Sequence, residues 1–203
     1  MEPNGVRVPR PAATVIAARQ GTDGVEVLVL RRASGQRFLP GFVVFPGGAV
    51  DREDVELAER WFGSSDEAAR ACAVRELFEE AGLALTGAGL AEAPADPLGA
   101  VSMLPPPPGA LPEIAHWVAP ESVPVRFDAR FYAVAAPAGL TARPDGREAE
   151  EAWWTRPADL LRDFAEGRCE LYWPTFKTME ALATCATVEE LLALHVPQVE
   201  YDE

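Results

Sequence analysis

The chain has 203 residues, 48% hydrophobic and 25% charged, the composition of a soluble globular protein with material for a substantial core. Its net charge of −14 excludes nucleic acid and anionic membrane as general partners, and an anionic substrate has to be met by a local basic patch, a metal ion or both. Three widely spaced cysteines, Cys72, Cys169 and Cys185, form no disulfide framework; with no signal peptide and no membrane-length apolar run, the expected compartment is the cytoplasm.

Residues 1–11 are polar and proline-bearing and read as an arm-like start. Residues 12–18 and 25–30 are β-rich runs joined by Gly21-Thr22-Asp23-Gly24, a hairpin signal. Arg31, Arg32 and Arg37 follow as the densest basic cluster of the chain, which serves either as a solvated strand end or as a phosphate-binding edge. Residues 42–45 predict another short strand. Pro46-Gly47-Gly48 predicts a turn at which backbone can approach a ligand closely. Residues 54–62 predict a short helix, with Leu57 and Trp61 spaced i, i+4.

The next element is the most informative. Ser64 with Glu67 has the form of a capping box, and Gly82 has the form of a left-handed stop, so a helix is expected over about 65–81. Val74, Leu77, Phe78 and Ala81 make one apolar stripe for a core, with Cys72 a small buried residue beside the glutamate face. Glu76, Glu79 and Glu80 crowd onto that different face at i, i+3, i+4. Like charges so placed cost roughly 0.2–0.5 kcal/mol per pair. Negative charge in the last helical turn costs roughly a further 0.3–1 kcal/mol for each of Glu79 and Glu80. Arg75 reaches Glu79 at i+4 and leaves two carboxylates uncompensated. A solvated acidic face is one explanation. A hard divalent cation is the other, since Mg²⁺ takes carboxylate oxygens and keeps positions open for water and phosphate.

Residues 86–112 are rich in Ala, Gly and Pro, and the run 105–108 favours an extended polyproline segment, a surface excursion and candidate cleft wall. Strands are expected at 114–119, 130–135 and 148–154, the last preceded by the turn Pro144-Asp145-Gly146. Alternation sends Glu148 and Glu150 to one strand face and Glu151 to the other, with Trp153 and Trp154 read as core. Helices are expected at 157–166, opened by Pro157, and at 175–183 and 188–195. His116 and His195 fall in no acid–base constellation.

The stretch Arg75-Glu76-Leu77-Phe78-Glu79-Glu80-Ala81-Gly82-Leu83, with Glu67 and Gly47-Gly48 ahead of it, resembles the signature box of the Nudix hydrolases, G-x5-E-x7-R-E-U-x-E-E-x-G-U. The interval from Gly48 to Glu67 is longer than the box allows, because residues 51–63 read as an insertion. Residues 28–48 resemble in part the motif of coenzyme A-cleaving members, with Leu28, Arg32, Arg37, Gly41, Phe45, Pro46, Gly47 and Gly48 matching and Val29, Leu30, Ala33 and Gln36 departing. Residues 116–131 and 171–179 are similar to stretches of the Nudix branch that includes the peroxisomal coenzyme A diphosphatase. The C-terminal Tyr201-Asp202-Glu203 has no S-K-L type address.

The resemblance implies an α/β/α sandwich with a mixed sheet, one domain with its core over 12–194 and insertions at 51–63 and 86–112. It implies a diphosphatase dependent on Mg²⁺ or Mn²⁺. Metal ligands would be Glu76, Glu79 and Glu80, with the Gly48 carbonyl a further one, and Arg75 would orient the carboxylates. Arg32 and Arg37, with Gly47 and Gly48, would meet substrate, and Glu148 or Glu150 would reach the metals as general base. The substrate implied is coenzyme A or an acyl-coenzyme A; another nucleoside diphosphate such as ADP-ribose, or a non-catalytic nucleotide sensor, are the alternatives. A small nucleotide-type ligand is the expected partner, with neither nucleic acid nor membrane, and self-association into a homodimer is left open.

Overall fold

A computed structural model describes residues 8–94 and 111–198. The first two strands, β1 (Arg10–Gly21) and β2 (Gly24–Arg32), form the expected hairpin, with Gly21 opposite Gly24. The middle of each strand is buried on both faces, so each strand feeds two cores by its period of two. Ala13, Val15 and Ala17 of β1, with Leu28 and Leu30 of β2, face one layer; Ile16, Ala18, Val25, Val27 and Val29 face the other.

The seven-stranded sheet is mixed. Its main path runs β3 (Val43–Val44), β2, β1, β8 (Phe127–Ala135), β7 (Glu113–Val118). β1 and β8 are parallel, while β4 (Gly47–Ala49) pairs antiparallel with β1 and β9 (Ala149–Thr155) antiparallel with β2. On one face lie α1 (Arg52–Phe62) and α2 (Ala68–Ala81). On the other lie α3 (Pro157–Ala165), α4 (Trp173–Leu182) and α5 (Val188–Leu192). This is the mixed-sheet α/β/α sandwich expected.

Several local expectations need correction. Gly47 and Gly48 lie in strand β4, because their backbone completes a ladder with Thr14 and Ala13 rather than turning. The Ser64 hydroxyl accepts from the amide of Asp66, while the Glu67 amide goes to the Ser64 backbone carbonyl, and the residue opens a single 3₁₀ turn, Ser65–Glu67, ahead of α2; the Glu67 carboxylate goes to Arg70 at 3.0 Å. A capping box does form, but at α1, where Asp51 and Asp54 exchange backbone and side-chain bonds. Residues 83–92 hold a hairpin, β5 (Leu83–Thr86) and β6 (Gly89–Glu92), where an irregular excursion was expected from residue 86. The proline run 105–108 lies outside the described residues. The last helix stops at Leu192, short of His195.

The α2 stripe of Val74, Leu77, Phe78 and Ala81 packs into the first core as its spacing predicts. Truncating Leu77, which is fully buried, to alanine would cost roughly 2–5 kcal/mol. Gly82 ends the helix at φ 63°, its amide on the Phe78 carbonyl at 3.1 Å. The buried stripe on one side therefore decides where the glutamates on the other side point.

Candidate active site

Helix α2 lies against strand β4, so the glutamate face meets the Gly-Gly backbone. Glu76 and Glu80 are buried and Glu79 is exposed. The contact between Glu76 and Gly48 admits no side chain on the strand, since a Cβ at Gly48 would stand 2.1 Å from Glu76 Oε1. Glu80 Oε2 accepts the Gly47 amide at 2.9 Å. The Gly48 carbonyl, the expected additional ligand, accepts the Cys72 thiol at 3.6 Å.

Arg75 is the hub. Its Nη1 donates at 2.9 Å to both Glu76 Oε1 and Glu79 Oε2. Its Nε and Nη2 grip Asp54 bidentately at 2.8 and 2.9 Å, and Asp54 is 0% exposed. Arg75 thus serves three carboxylates, not one, and Glu80 alone is left without an arginine pair. Burial would favour the neutral form of Arg75, but the Asp54 bonds and the Glu76 charge together push its pKa well above its ordinary value.

Asp54 was missed in the sequence, although a signal was present. It stands six positions after Gly48, the interval the box sets between its glycine and its first acidic residue, with aspartate in place of glutamate. The extra residues therefore fall between Asp54 and Arg75. Glu67 belongs to the cap and to Arg70.

The carboxylates are strained electrostatically. Burial raises Glu76 to about 7 against the pull of Arg75. Burial, with the charge of Glu76, raises Glu80 to about 8 against the Gly47 amide. Burial and the charges of Asp54 and Glu76 also push the Cys72 thiol up, so it stays protonated. As the side chains stand, no three acidic, histidine or cysteine groups among the described residues converge on one point. The chemistry of the donor set still fits a divalent cation. Two buried carboxylates meet at a backbone too close for a side chain, with only one arginine shared among the acidic groups, and a hard cation is what would favour their charged forms.

A cavity of roughly 330 Å³ opens from this point, and Gly47, Gly48 and Glu76 line it. Arg32 and Glu148 line it as well. Arg32 donates to the Phe38 carbonyl at 3.1 Å and to Gln36 at 3.4 Å. The three arginines do not form one cluster. Arg31, next along the strand, pairs with Glu151 at 2.8 Å, and Arg37 is exposed and not among the lining residues. Glu148 is set by the preceding turn, where Asp145 accepts the amides of Arg147, Glu148 and Ala149. Glu150 does not share the face of Glu148. A register shift between Arg31 and Arg32 interrupts the alternation, and Glu150 accepts the Ser34 amide at 2.9 Å instead. Trp153 and Trp154 are half-buried against the two cores, capped by Arg31 and Arg19. His116 pairs with Asp128 at 2.5 Å, away from the glutamates. Sequence reasoning also missed the far wall of the cavity, where Phe38 meets Phe127 and Tyr172 edge-on at 5.5 and 5.9 Å.

A mixed sheet between helices, with a glutamate helix laid on a Gly-Gly strand, is the arrangement of the Nudix hydrolases. The chain belongs to the NUDIX domain family, whose model matches residues 8–172. The crystal structure of a Nudix hydrolase from Alicyclobacillus acidocaldarius is similar at a TM-score of 0.83 and 34% identity, covering 94% of this chain and 99% of that one. A nudix hydrolase 7 of Caenorhabditis elegans is 41% identical over 80 residues, 39% of this chain and 24% of that protein. An acyl-coenzyme A diphosphatase of Xenopus laevis is 23% identical over 241 residues, covering 85% of this chain and 63% of that protein. The chain thus spans less than two thirds of the length of these two curated relatives. No described helix is long and apolar enough to cross a membrane.

Proposed function

We propose that the protein hydrolyses the diphosphate of a nucleoside diphosphate linked to another moiety, with coenzyme A or an acyl-coenzyme A as substrate and Mg²⁺ or Mn²⁺ as cofactor. The observation that carries this reading is the burial of Glu76 and Glu80 against the Gly47-Gly48 backbone at the mouth of a ligand-sized cavity. The partial coenzyme A motif and the diphosphatase relative support the substrate.

Glu76, Glu80 and the Gly48 carbonyl would hold the cation, with exposed Glu79 swinging in from Arg75. Bound there, a divalent ion would neutralise diphosphate oxygens and acidify a water. The remaining work belongs to the chain. Asp54 fixes Arg75, and Arg75 fixes Glu76. Arg32 meets a substrate phosphate oxygen with a fork suited to bidentate contact. Glu148 accepts the proton of the attacking water, and the cavity holds the moiety beyond the diphosphate in line.

The test is a substrate panel with Mg²⁺ and product identification: coenzyme A, acyl-coenzyme A, dephospho-coenzyme A, ADP-ribose and a dinucleoside polyphosphate. Cleavage of coenzyme A and acyl-coenzyme A to adenosine 3′,5′-bisphosphate and the corresponding phosphopantetheine, and of the dephospho form to AMP and phosphopantetheine, is expected. Activity confined to ADP-ribose or dinucleotides would overturn the substrate. In the same panel Arg32→Ala should raise KM for every substrate, because Arg32 lines the cavity, while Arg37→Ala should have little effect.

A further inference from the structure

Thr175 lies in the first turn of α4, is 6% exposed and lines the cavity. Its hydroxyl has no hydrogen-bond partner among the described residues and is not sealed from the cavity. Buried hydroxyls are normally satisfied. Its helical neighbour Thr178 shows the usual solution, accepting Trp117 Nε1 at 3.2 Å. The turn around Thr175 is also uncapped. Tyr172 gives no side-chain cap, Pro174 has no amide hydrogen, and the first amide to bond back is Phe176, on Tyr172 at 2.9 Å. A donor hydroxyl and a partially positive helix end therefore face one place in the cavity, where a hydrogen-bond acceptor is wanted.

The charge of the surroundings selects the acceptor. Arg32 is the sole cation among the described residues that line the cavity, against Glu76 and Glu148, and it is already bonded to the Phe38 carbonyl. A phosphate dianion at Thr175 would have no counter-charge. The walls on this side are Phe38, Phe127, Tyr172, Ala119 and Val125. Their rings pack edge-on to one another and leave no parallel slot of the kind a stacked base would occupy. Val125 is 44% exposed, an apolar side chain at the lip.

We infer that Thr175 and the first turn of α4 form a subsite for a carbonyl oxygen on an uncharged, otherwise apolar arm of the substrate, an amide-bearing chain rather than a base or a second phosphate. This inference rests on the proposed diphosphate hydrolysis. In coenzyme A the pantetheine arm has this chemistry. Seating one of its amide carbonyls at Thr175 sets the position of the diphosphate at the glutamates.

The test compares wild type with Thr175→Val, which keeps the shape and removes the hydroxyl, and with Thr175→Ser, which restores it; all three should melt alike. Thr175→Val should lower kcat/KM for coenzyme A about 5- to 30-fold, the loss of one hydrogen bond, and leave ADP-ribose, which has no amide arm, unchanged. Thr175→Ser should recover most of the loss. Equal losses on both substrates, or none on coenzyme A, would overturn the subsite. Pantetheine alone, titrated by NMR, separates the two readings. If wild type cleaves no coenzyme A derivative, the substrate assignment fails, and pantetheine binding weakened by Thr175→Val would still support the subsite. Absent pantetheine binding, or binding the variant leaves unchanged, would overturn it.

Discussion

Asp54 on α1 and Arg75 on the glutamate helix meet through two parallel hydrogen bonds of 2.8 and 2.9 Å, with the carboxylate wholly out of water. Breaking a buried pair from one side leaves the other charge uncompensated and costs on the order of 3–5 kcal/mol. Asp54→Ala should lose that much in urea unfolding and lower the melting temperature by several degrees, while Asp54→Leu combined with Arg75→Met should lose less than either single change. Additive losses in the double variant would show that the pair is not the cause.

Glu80→Gln should remove diphosphate hydrolysis, because Glu80 is one of the two buried carboxylates at the Gly-Gly strand. Its metal-free stability should be unchanged or raised, since a neutral amide keeps the Gly47 bond and needs no counter-charge. Glu79→Gln should also reduce activity but leave stability within about 0.5 kcal/mol, its side chain being exposed. A large loss of stability in metal-free Glu80→Gln would make Glu80 a structural residue.

Added Mg²⁺ should raise the melting temperature of wild type, reaching about 2.7 kcal/mol of stabilisation at a hundred times the dissociation constant. Chelator should return it to the starting value. Glu76→Gln and Glu80→Gln should respond much less. An equal rise in all three proteins would place the ion elsewhere.

Glu148 and Glu150 separate the candidates for general base. Glu148→Gln should lower kcat by about 10²- to 10⁴-fold with the KM little changed. Glu150→Gln, which only loosens a surface bond to Ser34, should stay near wild type. The reverse ranking in single-turnover rates would reassign the base.

Tyr132 supplies the pH dependence. Burial, reinforced by the charge of Glu113, raises its phenol from 10.0 to about 12 in the folded protein. The native state therefore keeps a proton that the unfolded chain releases between those values. The stability this contributes is fully present below pH 10 and is lost as pH rises through 12. Tyr132→Phe should remove that part of the alkaline decline in denaturation curves. An unchanged slope would locate the decline in other groups.

The α2 helix and the glutamate face were legible in the sequence because each rests on local periodicity, while the sandwich was legible only through the resemblance of the signature box. The stripe of Val74, Leu77, Phe78 and Ala81 has one periodicity, and Gly82 one conformation to supply. What the sequence hid was contact across distance. Asp54 and Arg75 are 21 positions apart, and a short capping signal around Ser64 drew attention to Glu67 instead. The split of Arg31 from Arg32 follows from strand alternation, but the shift that separates Glu148 from Glu150 is a pairing irregularity no pattern announces. Thr175 looked like the start of an ordinary helix, and only its surroundings make its hydroxyl unusual.

The parallel pairing of β1 with β8 has a consequence for how the chain reaches its native state. The register joins Ala12 to Ala129 and Ala18 to Ala135, so the central strand waits for a partner synthesised more than a hundred residues later. Its hairpin with β2 can close early, but both faces of that hairpin are apolar and stay uncovered until the later layers arrive. High contact order of this kind slows the rate-limiting step and lengthens the life of a sticky intermediate. Refolding yield from denaturant should therefore fall with protein concentration well before native stability becomes limiting, and expression at lowered temperature should favour the soluble product.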